Sequence, residues 1–137
     1  MTRGLALAAV ACLGGCALGR SEPEIVARAF LDALVAEDYE TAVALSVRPV
    51  RERLAAAAQR ASDQVGGRRT FAAHEMFQVL DLPAGLGAAT LVVERAGDDE
   101  AVVTIRLPDD THRSLSLRRE DGAFRVVVPL PAEAPPP

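Results

Sequence analysis

At Gly66-Gly67 the hydrophobic rhythm of this chain changes, and that change limits the folds open to it. Before the pair, apolar residues recur at helical spacing. Val26, Ala29, Phe30, Ala33 and Leu34 form one stripe, with Arg28, Asp32 and Glu37 largely off it. Val50, Leu54, Ala58, Ala61 and Val65 form another, which the glycines end. Farther along, apolar and polar residues alternate. Val103, Ile105 and Leu107 interleave with Val102, Thr104 and Arg106; Leu115 and Leu117 with Ser114, Ser116 and Arg118; Phe124, Val126 and Val128 with Arg125 and Val127. Turn clusters separate these runs at Ala96-Gly97-Asp98-Asp99, Pro108-Asp109-Asp110 and Glu120-Asp121-Gly122. Short strands with short polar connections predict an antiparallel meander from Thr90 to Pro129. Its apolar face needs a cover, which amphipathic helices supply. The expected class is α+β, with N-terminal helices packed on a curved antiparallel sheet.

Local signals place the helix ends. Ser21-Glu22-Pro23-Glu24 reads as a capping box, with Pro23 tolerated in the first turn. Asp38 is positioned to cap a second short helix carrying Tyr39, Ala42, Val43 and Leu45. Residues from Phe71 to Leu82 fit no single period, and a first long strand is the favoured reading. The stretch from Pro129 to Pro137 holds five prolines in nine residues and reads as a fraying polyproline tail.

Upstream of the first helix the chain has a different character. Met1-Thr2-Arg3 puts a positive charge before an apolar run from Leu5 to Leu13, followed by small residues, which is the layout of a secretory signal. Even counted to Leu18 the run is about fourteen residues, short of the roughly twenty that span a bilayer. Leu13-Gly14-Gly15-Cys16 then resembles the lipobox of bacterial lipoproteins. That resemblance implies cleavage before Cys16, a diacylglyceryl thioether on its sulfur and acylation of the new amino terminus. A register ending at Cys12 would put Ala9 at the aliphatic position and shorten the apolar run, so Cys16 is preferred. The implied plan is a signal over 1–15, a tether over 16–21, one domain over 22–129 and a tail over 130–137. The implied location is the bacterial envelope, on the outer membrane facing the periplasm or on the outer face of the plasma membrane. Multiple acyl chains, each buried CH₂ worth about 0.8 kcal/mol, would make the anchorage stable.

Composition narrows the chemistry. The fifteen basic residues are all Arg, against nineteen acids, for a formal charge of −4, so nucleic acid is not an expected partner. Cys12 and Cys16 are the only cysteines, and neither remains as a free thiol in a processed lipoprotein. No metal-spaced His cluster or phosphate-cradling glycine loop occurs, and no cofactor is expected.

Helices followed by a curved sheet, together with Ile25-Val26-Ala27-Arg28-Ala29-Phe30-Leu31-Asp32-Ala33-Leu34 and then Glu37-Asp38-Tyr39-Glu40-Thr41-Ala42, resemble the nuclear transport factor 2-like, or ketosteroid-isomerase-like, cone fold. The resemblance covers about residues 22–129. It implies a pocket between sheet and helices, for which Tyr39, His74 and Asp81 are the candidate polar residues; His112 lies beside a turn, where an exposed ring is expected. A separate feature is a net +4 segment over residues 48–69. There Arg48, Arg51, Arg53, Arg60, Arg68 and Arg69 outnumber Glu52 and Asp63, forming a candidate patch for anionic headgroups, an envelope polymer or an acidic protein. A solvated helix face explains the same residues. Two functions follow as expectations: a membrane-anchored, non-enzymatic binding or assembly module, or an isomerase-like enzyme or small-ligand carrier using the cone pocket.

Overall fold

The computed structural model describes residues 21–77 and 82–131. It has an α+β fold with three helices, α1 (Glu22–Val35), α2 (Tyr39–Ala44) and α3 (Arg48–Gln64). They are followed by a four-stranded antiparallel sheet of β1 (Thr90–Ala96), β2 (Glu100–Arg106), β3 (His112–Glu120) and β4 (Ala123–Val127). Strand order in the sheet is the order in the chain, as a meander requires.

Helix α1 begins at Ser21, whose carbonyl accepts the Ile25 amide at 3.0 Å, but the Ser21 side chain makes no capping bond. The expected capping box is therefore corrected. Glu22 ties the helix start to the sheet, lying 3.3 Å from Arg119 and accepting the Phe124 amide at 3.4 Å. The buried face is also rotated from the expected stripe: Ala27, Phe30, Leu31, Ala33 and Leu34 are buried, whereas Ala29 is exposed. That wider face lets α1 pack against β1, β2, β4 and α2 together. Its end is a Schellman turn, in which the Asp38 amide reaches the Ala33 carbonyl at 2.8 Å and the Glu37 amide reaches Leu34 at 3.1 Å. Asp38 then caps α2 as expected, accepting the Thr41 amide at 3.1 Å.

Along α3 the buried line is Val50, Leu54, Ala58 and Ser62. Ser62 replaces Ala61 in the expected stripe because its hydroxyl is fully used. It donates to the Ala58 carbonyl at 2.8 Å and accepts the Phe71 amide at 2.9 Å. Gly66 and Gly67, both at positive φ, close the helix with a second Schellman turn to Asp63 and Ser62.

The expected strand over Phe71–Leu82 is not what the first part of that stretch forms. Ala73–Met76 is a single 3₁₀ turn, and residues 78–81 lie outside the described residues. The reason is local. The Glu75 carboxylate accepts the Ala72 amide at 2.7 Å and the Phe71 amide is taken by Ser62, so neither is left for a strand ladder. The tail also departs from expectation at its start: Leu130 is half-buried against the core, and the Pro131 carbonyl accepts a hydrogen bond from Arg53.

In the sheet, Leu91, Val93, Ala101, Val103, Ile105, Leu115, Leu117, Phe124 and Val126 share the inner face through the ladder register. The outer face carries Val92, Val102, Thr104, Ser114, Ser116, Arg118 and Arg125. On the far side of β4 the linker between α2 and α3 adds a short parallel bridge, Ser46 to Val126. Between β1 and β2 the register shifts at Val93/Arg95, a bulge that twists the edge strand.

Ile105 is 5% exposed, and its ladder neighbours are Leu91 and Arg113, whereas Thr104 on the other face is half-buried. Ile105→Asp should therefore destabilise the fold by several kcal/mol, and Thr104→Asp by about 1 kcal/mol or less. Melting temperatures of the two variants test this; equal losses would mean that both faces are buried.

Candidate functional site

Helix α1 covers the sheet incompletely, and an apolar groove of about 490 Å³ remains beyond its C-terminal half. Phe30 and Leu34 of α1 and Leu54 of α3 form one side. Met76 and Phe77 at the 3₁₀ turn, and Leu115 on the inner face of β3, form the floor and far wall. The last wall is the chain after β4, Val128 to Pro131. The volume lies within the roughly 300–1,000 Å³ of small-molecule sites. Every lining side chain is apolar, so no titratable group faces the groove among the described residues.

The groove exists because the residues after β4 do not fray. Leu130 packs against the core, and Arg53 latches the Pro131 carbonyl to α3. Val128 and Leu130 also wall a second cavity of about 230 Å³, whose other sides include Val50, Arg53, Arg118 and Val127. The two cavities thus adjoin along the same piece of chain.

Of the polar residues expected in a pocket, Tyr39 and His74 do not line the groove. Tyr39 is half-buried with its ring tilted 51° to Phe77 and 6.0 Å from it, so it backs one groove wall. His74 belongs to the 3₁₀ turn, where its carbonyl accepts the Phe77 amide at 3.2 Å, and its ring lies near enough to Asp38 to influence that carboxylate. Tyr39 and His74 are therefore brought into one neighbourhood, but neither lines the groove. Asp81 lies outside the described residues, and His112 is exposed at the start of β3. The groove-forming residues missed by sequence reasoning are those of the tail, whose proline content masked the one apolar residue, Leu130, that anchors it.

The six arginines of residues 48–69 do not form one array. Arg48 pairs with Asp121 at 2.9 Å, and its amide donates to the Glu120 carboxylate at 2.6 Å, so β-turn acids sit at the N-terminus of α3. Arg53 holds the tail. Arg69 pairs with Glu75 at 2.6 Å and lies 4.4 Å from the centre of the Phe71 ring. Arg51 is half-buried, while Arg60 and Arg68 are exposed. At least three of the six are thus engaged, Arg48 with the β3–β4 turn, Arg53 with the tail and Arg69 with the 3₁₀ turn. Cys16 lies outside the described residues. Among the described residues no helix is long and apolar enough to cross a membrane, and no cluster of His, Cys, Asp or Glu could hold a metal ion.

Three carboxylates are held below their ordinary range, each by local donors. Asp38 is stabilised as the anion chiefly by Thr41, through its side chain and then its amide. Glu75 is held by the Ala72 amide and then by Arg69, and Asp109 by the Thr111 hydroxyl and then its amide. These are caps and turn locks on the surface, not a catalytic arrangement. No family model, curated protein or solved structure matches the chain.

A depressed carboxylate contributes stability above its unfolded pKa and loses it as pH falls through the lower folded value. Asp38→Ala should accordingly melt below wild type at neutral pH, with the gap closing as pH falls below the ordinary aspartate range and the wild-type carboxyl protonates. Thermal melts across that range check the sign, and a gap that persists in acid would mean that the charge of Asp38 is not its source.

Proposed function

We propose that this chain is a non-enzymatic binding module held at a bacterial envelope membrane through an acylated Cys16, and that its groove is the binding surface. The observation that carries the binding half is the groove: ligand-sized, open and, among the described residues, lined by apolar side chains alone. A soluble domain gains nothing from leaving such a recess uncovered, and each lining side chain would add hydrophobic stabilisation if it were filled. The anchoring half rests on Leu13-Gly14-Gly15-Cys16 directly after an apolar run. The short tether from Cys16 to Ser21 would keep the domain close to the lipid surface.

An isomerase-like reaction in the groove would need a general acid or base within hydrogen-bond reach of the substrate. Tyr39 stands against Phe77, and neither it nor His74 is part of the lining, which favours binding without chemistry. The ligand-carrier half of that second reading is favoured by the groove volume and merges with the proposal.

Mass spectrometry of the mature amino terminus should find acylated Cys16, and Cys16→Ser should yield a signal-bearing or soluble form without acyl chains. An unmodified terminus elsewhere in the wild type would contradict the anchor. For the groove, N-phenyl-1-naphthylamine should bind the Cys16→Ser chain saturably and in a one-to-one ratio. Leu115→Trp or Val128→Trp, each filling the groove from a half-buried position, should abolish that signal while leaving the circular dichroism unchanged. Binding that survives both substitutions would place the dye elsewhere.

A further inference from the structure

Resting on the groove as the binding surface, we propose that its ligand is a single-chain anionic amphiphile, a fatty acid in chemical class. The alkyl chain would lie in the apolar groove and the headgroup beside Arg53 and Arg118.

The placement of charge carries this. Among the described residues, the 490 Å³ groove has no charged lining, but it shares Val128 and Leu130 with the adjoining 230 Å³ cavity, where Arg53 and Arg118 are the only charged ones. No carboxylate among the described residues lines either cavity. Arg53 spends one Nη2 donor on the Pro131 carbonyl, and a guanidinium has five N–H donors, so donors remain for an anion. Arg118 stands on the outer sheet face between Glu100 on β2 and Arg125 on β4, a row that is net positive. The two cavities adjoin at Val128 and Leu130, so a molecule long enough to reach both would have one end in apolar surroundings and the other beside two guanidiniums, which matches an amphiphile with a negative head.

The same wall argues against a peptide. Pro129 and Pro131 have no N–H, so the segment offers carbonyls with few donors, whereas an extended peptide needs both in alternation. A flat bilayer surface is also a poor fit, because the groove is recessed between α1, α3 and β3.

The test uses the full-length chain carrying Cys16→Ser, which removes any acyl group of its own. Laurate and dodecanol, which share a chain and differ in head charge, are titrated against bound N-phenyl-1-naphthylamine at neutral pH. Laurate should displace the dye at roughly five- to tenfold lower concentration than dodecanol, the range expected when exposed guanidiniums pair with one carboxylate. Arg118→Gln should narrow that gap to about twofold or less without changing dodecanol, which also shows that the groove is intact. Arg53→Gln should narrow the gap as well, but because it also frees the Pro131 carbonyl it should weaken laurate and dodecanol together. Equal potency of the two compounds in wild type, or a preference that survives the double substitution, overturns the amphiphile assignment. So does a dye that binds yet is displaced by neither. Failure of the dye itself to bind is the separate outcome that removes the groove reading.

Discussion

Two backbone hydrogen bonds at Val126 join the helical half of this protein to its sheet. The Val126 amide donates to the Leu45 carbonyl at 2.8 Å, and the Val126 carbonyl accepts the Val47 amide at 2.9 Å. Val126 and Ser46 are fully buried and Val47 nearly so, which makes these bonds costly to break, since each orphaned buried group loses about 1–3 kcal/mol. The Ser46 hydroxyl is satisfied by the Ala42 carbonyl at 2.9 Å, so the bridge leaves no buried side-chain polar atom unpaired among the described residues. One consequence is that the outer edge of β4 is covered and cannot template another chain. A second is that α3 starts beside the sheet edge, bringing Arg53 within reach of the chain leaving β4.

The groove follows from that placement. With α1 anchored over β1, β2 and β4, the half-buried Leu115 on β3 keeps an apolar surface that the helix does not fully cover. Around the far rim, Arg119 performs the complementary polar task. It donates to Asp98 at 2.6 Å and Gly122 at 3.0 Å, stacks 4.2 Å from the Phe124 ring and reaches Glu22. Two turns and the start of α1 are thereby tied to one guanidinium. Exposed pairs of this kind contribute little individually, about 0–1 kcal/mol, and their value here lies in fixing geometry.

Much of this architecture was legible in the sequence because the sheet follows a simple rule. Alternation at Val103, Ile105 and Leu107, with a turn cluster at each end, leaves one register in which the inner face is apolar, and the ladder adopts it. Asp38 was readable for a similar reason, since a cap acts within three residues of itself. What escaped depended on partners distant in the chain. Ser62 is buried because Phe71 donates to it, and Phe71 to Phe77 departs from a strand because of that bond and the Glu75 turn. Leu130 and Pro131 pack because Arg53, far upstream, holds them. The site suffered most from this: Tyr39 and His74 were expected in the pocket and do not line the groove, and the tail that sets the groove wall carried only a proline-rich composition.

Methyl chemical shifts of the Cys16→Ser chain during titration with laurate test the central claim most directly, because they locate the ligand without any substitution in the groove. The account predicts saturable, concerted shifts at Leu34, Leu54, Leu115, Val128 and Leu130, with Val92 and Val102 on the outer sheet face unmoved. Shifts concentrated on the outer face, or spread evenly over the domain without saturating, would contradict it.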